Sequence, residues 1–173
     1  MILHKGETLF RQGESGPLYH LHSGLLKIIR VNHNGNPTLM NIIMPGEIIP
    51  HHSLISPNPY HGTAVALSTC EIDILPAKEW YRELDEHPEK CRDIALQLQD
   101  KLRMMQQRID QLTETAPADK LVKLQAWFRT LSSVPLTEVL TQDEIGQFIG
   151  LRRETVNRLL RAQLSAQDSG VRT

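Results

Sequence analysis

Short apolar runs separated by turn residues fill the first half of the chain. "LYHLHSGLLKIIRV", "TLMNIIMPGEII" and "TAVALSTCEIDIL" are rich in leucine and β-branched residues and are bounded by Gly, Pro, Asn or Ser. Runs of that length and composition predict strands. "NHNGN" at 32–36 predicts an Asn-Gly hairpin turn. An antiparallel barrel or roll over about residues 1–76 is the economical fold. From Pro88 the period turns helical. Cys91, Ala95, Leu98, Leu102, Met105, Ile109 and Leu112 are spaced 4, 3, 4, 3, 4, 3, which is a heptad seam with polar residues between. Such a seam serves a dimer or docks on the roll of its own chain. Thr113 to Pro117 interrupts the pattern, and Pro117 suits the first turn of a new helix. Leu121, Leu124, Phe128 and Leu131 share a face of that helix, and "SSVPL" at 132–136 reads as a linker.

The pattern is densest in "TQDEIGQFIGLRRETVNRLLR", Thr141 to Arg161. Thr141 and Glu144 have the spacing of a capping box, in which hydroxyl and carboxylate each accept from the other's backbone. Ile145, Phe148 and Ile149 form the stripe of a two-turn helix. Gly146 leaves room for a close crossing, and Gly150 can turn with positive φ. Val156, Leu159 and Leu160 stripe a second helix after Leu151 enters the core. Two short helices about a tight glycine turn predict a helix-turn-helix. On the second helix Arg153, Glu154, Asn157 and Arg158 lie away from the stripe. Guanidinium groups pair bidentately with guanine edges, and a carboxylate accepts from cytosine N4. Arg152 and Arg161, nearer the ends, suit phosphates. The same residues would also suit a solvated basic helix with internal pairs such as Glu154 with Arg158.

Composition bounds these readings. The 173 residues are 40% hydrophobic and 23% charged, with a net charge of −1, as in ordinary globular proteins. No run approaches the ~18 apolar residues that span a bilayer, so no membrane partner is expected. "MILHKGETLF" lacks the charged head and apolar run of a signal peptide. Cys70 and Cys91 are too few for a disulfide framework, which points to a reducing cytoplasm. Charge is uneven: residues 150–163 carry four arginines and one acid, a local +3. A sequence pI near 6.7 means that charge by itself does not argue for nucleic acid.

Together these residues resemble the Crp/Fnr family of bacterial regulators, which includes the cyclic-AMP receptor protein. "LTQDEIGQFIGLRRETVNRLLR" is similar to that family's helix-turn-helix. "GETLFRQGE" at 6–14, "LYHLHSGLLKI" at 18–28 and "MPGEII" at 44–49 resemble its cyclic-nucleotide-binding-type β-roll. The likeness spans about residues 2 to 163 in the family's order. It implies an α+β chain: a β-roll sensor domain over 1–88, a dimerisation helix over 89–114 and a helix-turn-helix DNA-binding domain over 115–173. By the same resemblance Arg153, Glu154 and Arg158 read a TGTGA-like half-site in double-stranded DNA. Asn157 stands where the oxygen-sensing branch also touches a base, and Thr155 joins Arg152 and Arg161 on phosphates. A homodimer, through Ala95, Leu98, Leu102, Met105, Ile109 and Leu112, would recognise a palindrome and work with RNA polymerase.

The resemblance also frames the effector. Relatives that bind cyclic AMP hold its phosphate with a Gly-Glu-Leu turn and an Arg-Ser pair. Here those positions are Pro50-His51-His52 and His61-Gly62, without the carboxylate and the arginine. A buried phosphodiester then loses its charge-assisted bonds, so cyclic AMP is not expected. An iron–sulfur cluster needs an N-terminal cysteine group, and none precedes Cys70. Seven of eight histidines precede residue 62. His51, His52 and His61 are the candidates for an unidentified small effector, a metal or a pH response, or they are plain polar surface. No cofactor is predicted. His20 and His22 share a strand face, but a cupin-like metal-dependent enzyme needs a glutamate three or four residues later, where Leu25 and Leu26 stand. No catalytic constellation is found elsewhere, so the chain is not expected to be an enzyme. Both ends depart from the family's pattern. The roll starts almost at residue 1, and "AQLSAQDSGVRT" lacks strand alternation where a β-hairpin wing would follow. The expectation is a winged-helix-like domain lacking its wing, which binds DNA weakly or interferes with an intact regulator.

Overall fold

The computed structural model describes residues 1–170, with the backbone alone at Leu131 and at 167–170. The described chain forms two compact units, one over Met1–Met105 and one from Gln106 onward. No helix among the described residues is long and apolar enough to cross a membrane.

The first unit is an antiparallel roll of eight strands: β1 (Ile2–Leu3), β2 (Thr8–Phe10), β3 (Leu18–Ser23), β4 (Leu26–Val31), β5 (Pro37–Ile43), β6 (Ile48–Ile49), β7 (Thr63–Ala66) and β8 (Cys70–Leu75). They pair as two four-stranded sheets, ordered β1-β8-β3-β6 and β2-β7-β4-β5. Each long apolar run of the sequence is therefore two strands joined by a turn. Alternation aims one face inward, as in β7, where Ala64 and Ala66 are buried between half-buried neighbours. Phe10, Tyr19, Leu21, Leu26, Ile43 and Ile72 fill the space between the sheets.

The β4–β5 hairpin differs from the simple Asn-Gly turn. Only Gly35 takes a positive φ, at 77°, and Asn34 does not. A two-residue type I′ turn would need both. Asn32 instead organises a five-residue loop, its Oδ1 accepting from the backbone of Asn34 at 3.0 Å and of Asn36 at 3.1 Å.

Helical structure begins at α1 (Ala77–Glu86), earlier than the expected Pro88, and continues in α2 (Glu89–Thr113). Within the first unit Leu84 of α1 and Ile94 of α2 are buried with Leu18 and Leu54, and half-buried Cys91 and Leu98 pack against the same cluster. The heptad seam is thus divided. Cys91 and Leu98 serve the chain's own roll, whereas Leu102 is 61% and Ile109 58% exposed.

The second unit holds α3 (Pro117–Leu131), α4 (Leu136–Val139), α5 (Gln142–Ile149) and α6 (Arg153–Gly170). Pro117 opens α3, and Leu121, Leu124 and Phe128 are buried along one face. The side chain of Leu131, expected on that face, lies outside the described residues. Phe148 of α5 stacks on Trp127 with ring centroids 5.7 Å apart. The Arg108 guanidinium, at the end of α2 inside this unit, sits 3.8 Å over the Phe148 ring. Burial lowers its pKa to about 10, and the aromatic face offsets part of the lost hydration. The polar stretch without strand alternation continues α6 as far as Gly170, and its last three residues lie outside the described ones.

Candidate nucleic-acid interface and effector pocket

The helix-turn-helix is built from its caps. Glu144 N donates to Thr141 Oγ1 at 3.2 Å, and Thr141 N donates to Glu144 Oε2 at 2.8 Å, closing the capping box that starts α5. Gly150 ends α5 with φ 68°, a left-handed value that glycine takes without Cβ strain. A Cβ on Gly146 would lie 2.5 Å from the Leu151 carbonyl oxygen. The turn can therefore fold back on α5 only because position 146 lacks a side chain. Ile145, Phe148, Ile149 and Val156 are buried, which fixes α6 against α5.

That packing turns Arg153, Glu154 and Arg158 to solvent, with Arg152 and Arg161 exposed at either side. Among the described residues none of these four arginines is ion-paired, so the alternative Glu154–Arg158 pair does not form. The guanidinium groups remain available to an anionic partner. Thr155 is half-buried. Asn157 is also half-buried, and its Nδ2 donates to Gln142 Oε1 at 2.8 Å, tying the second helix to the start of the first. Further along, Gln125 of α3 and Gln163 of α6 exchange two amide hydrogen bonds of 3.0 and 3.1 Å.

In the roll, residues far apart in sequence meet around a cavity of about 180 Å³. Pro50, His51 and His52 line it together with His61 and Gly62. His52 and His61 have ring centroids 5.9 Å apart, and His52 Nε2 contacts the Pro59 carbonyl at 3.0 Å. Burial first, then Arg30 and His52 nearby, lower the pKa of His61 and favour its neutral form. His51 Nε2 lies 2.9 Å from Glu47 Oε2. Lys101 of α2 reaches the other Glu47 oxygen at 2.6 Å. Among the described residues no group of three or more His, Cys, Asp or Glu is arranged to hold a metal. His20 and His22 share a face as expected, with rings 4.2 Å apart, and His22 pairs with Asp73 at 2.8 Å.

No motif in the sequence singles out Glu47, Lys101 or Asn41. Desolvation raises the Glu47 pKa, but the contacts from His51 and Lys101 together outweigh it, and the net shift is downward. The available signal was an isolated acid and an isolated amide inside the apolar run "TLMNIIMPGEII". Buried polar groups demand partners, and here two partners come from other elements.

Two family models match the chain: a cyclic nucleotide-binding domain over residues 1–87, and the crp family of bacterial regulatory proteins over residues 139–162. A CRP-like cAMP-activated global transcriptional regulator of Mycobacterium tuberculosis is 30% identical over 166 residues, covering 90% of this chain and 73% of that protein. The transcriptional activator protein anr of Pseudomonas aeruginosa is 31% identical over 171 residues, covering 91% of this chain and 67% of that protein. Among solved structures, a CRP-family transcriptional regulator from Thermus thermophilus has a TM-score of 0.78 at 21% identity, covering 97% of this chain and 85% of that one. These similarities are to transcriptional regulators and not to enzymes, which sets the cupin-like reading aside.

Proposed function

Because the chain belongs to the Crp/Fnr family of transcription regulators, we propose that it works as a homodimer that reads a palindromic, TGTGA-like operator in double-stranded DNA. The observation that carries this reading is the solvent-facing set Arg153, Glu154 and Arg158 on a helix held by a capped, glycine-turned partner. Arg153 and Arg158 would donate bidentately to guanine O6 and N7, and Glu154 would accept from cytosine N4. Arg152, Thr155 and Arg161 would contact phosphates and set the register. Asn157 would join the base contacts by exchanging its bond to Gln142 for one to a base edge. Two-fold pairing through exposed Leu102, Ile109 and Leu112, with Ala95, Leu98 and Met105 on the same seam, would present two reading helices about one DNA turn apart. The setting is the cytoplasm, and RNA polymerase is the further partner such a regulator would address.

Cyclic AMP and iron–sulfur clusters are not part of this reading. Footprinting and fluorescence anisotropy on a palindromic TGTGA duplex test it against a scrambled duplex. The wild-type protein should protect the palindrome. Arg158→Ala should lose about tenfold or more of the discrimination, as expected for one bidentate base contact of about 1–3 kcal/mol. A dimer that protects no sequence in any buffer would sink the operator-reading proposal and favour a partner that interferes with an intact regulator.

A further inference from the structure

We propose that the solvent face of strands β3 and β8 binds one divalent transition-metal ion, held by the rings of His20 and His22, with Asp73 positioning His22. Strand geometry sets the site. Successive side chains of a strand alternate between faces, so Tyr19 and Leu21 are buried in the roll while His20 and His22 turn outward. β8 follows the same rule: Cys70 and Ile72 are buried, and Glu71 and Asp73 are exposed. Antiparallel pairing puts His20 opposite Asp73, and Ser23, next to His22, opposite Glu71. Two imidazoles and two carboxylates thus share one patch of sheet, to which neither strand adds a lysine or arginine.

The local geometry suits an ion. The His20 and His22 rings have centroids 4.2 Å apart and planes tilted by 59°. Two imidazoles bound side by side to one ion through metal–nitrogen bonds of about 2 Å have ring centres about 4.5–5 Å apart. The rings as they stand therefore need little rearrangement. His22 Nε2 lies 2.8 Å from Asp73 Oδ2. An ionised carboxylate only accepts, so that nitrogen carries the proton, and Nδ1 of the neutral ring keeps its lone pair for a metal. A carboxylate behind a ligating imidazole fixes the ring and raises its basicity. Among the described residues no group of three or more His, Cys, Asp or Glu is arranged to hold a metal. Two ring nitrogens are then the protein's share, and water completes the coordination. Imidazole selects Cu²⁺, Ni²⁺ and Zn²⁺ over Mg²⁺ and Ca²⁺, which take oxygen ligands. The other histidine pair, His52 and His61, stands 5.9 Å apart with Arg30 nearby, a cation that opposes a second one.

The test uses the full-length, untagged, DNA-free protein freed of metal by a chelator, so its outcome is independent of operator reading. Zn²⁺ is titrated against it, with Mg²⁺ as the comparison, and the histidine ring nitrogens are followed by NMR. Zn²⁺ should shift the His20 and His22 rings saturably at one ion per chain and leave His4, His33, His51, His52, His61 and His87 in place. Mg²⁺ should shift none of them. His20→Gln and His22→Gln should each weaken Zn²⁺ at least tenfold. Asp73→Ala should weaken it about tenfold or more and also change the ring tautomer of His22, a readout that a loss of sheet stability would not give. All three side chains lie on the outer face, and unchanged far-ultraviolet circular dichroism checks that each variant folds. Zn²⁺ shifts centred on other histidines, no saturable shift below millimolar Zn²⁺, or a His20→Gln variant that binds as wild type would each overturn the proposal. An Asp73→Ala variant with wild-type affinity and tautomer would overturn the role given to Asp73.

Discussion

Glu47 shows how a single side chain can matter without belonging to any motif. Its carboxylate lies between His51 and Lys101 and is nearly shut off from water. Its pKa in the fold is lowered from 4.5: desolvation raises it, but the hydrogen bonds from His51 and Lys101 together outweigh that. The stabilisation is therefore whole above about pH 4.5 and is lost as the pH falls through the lower folded value. Unfolding free energy measured from pH 3 to 7 should show this as a steep acid limb. Glu47→Gln should flatten that limb and cost about 1–3 kcal/mol at neutral pH, since it leaves Lys101 without its partner. Asn157 is a second residue whose role is decided by its neighbour. Asn157→Ala breaks the bond to Gln142, and chemical denaturation should show a loss of about 1 kcal/mol. Its effect on operator discrimination should be smaller than that of Arg158→Ala. Sequence spacing put Asn157 beside the reading residues, and only the contact with Gln142 reveals its structural task.

At the scale of elements, local signals were legible and distant ones were not. The capping box and the αL glycine depend on residues within ten positions of one another, so the helix-turn-helix could be drawn from the sequence. Thr141→Ala removes one side of that box and should lower unfolding free energy by about 0.5–2 kcal/mol, measured by thermal or urea denaturation. Helix α1 is hard to see in the sequence because prolines at 76 and 88 bracket it within the turn-rich half. The division of the α2 seam is not visible in the sequence, because heptad spacing does not say which neighbour covers each position. Ile94, off that seam, proved to be a buried anchor. The cavity of the roll is legible in the sequence only through the two histidine segments that help to line it. Its apolar wall and Asn41 come from strands scattered between residues 10 and 49, and no local periodicity joins them.

For the whole molecule, the decisive question is assembly. Leu102 and Ile109 are large apolar side chains more than half exposed on α2, and a helix keeps such residues in water only at some cost unless a partner covers them. Leu102→Glu with Ile109→Glu should convert the proposed dimer to a monomer, a halving of mass by analytical ultracentrifugation. The roll should keep its near-ultraviolet spectrum, because its own contacts use Ile94, Cys91 and Leu98 instead. If the wild type sediments as a monomer, the palindromic operator loses its basis.

Helix α6 is fastened to its own unit by uncharged contacts: the buried Val156 and the reciprocal Gln125–Gln163 amides. Counterions compete for charges and leave amide pairs and apolar packing nearly untouched. Adding salt should therefore strip phosphates from the arginines without loosening the helix that carries them. The slope of log affinity against log salt then counts displaced counterions directly, at about 0.9 per phosphate contact on duplex DNA.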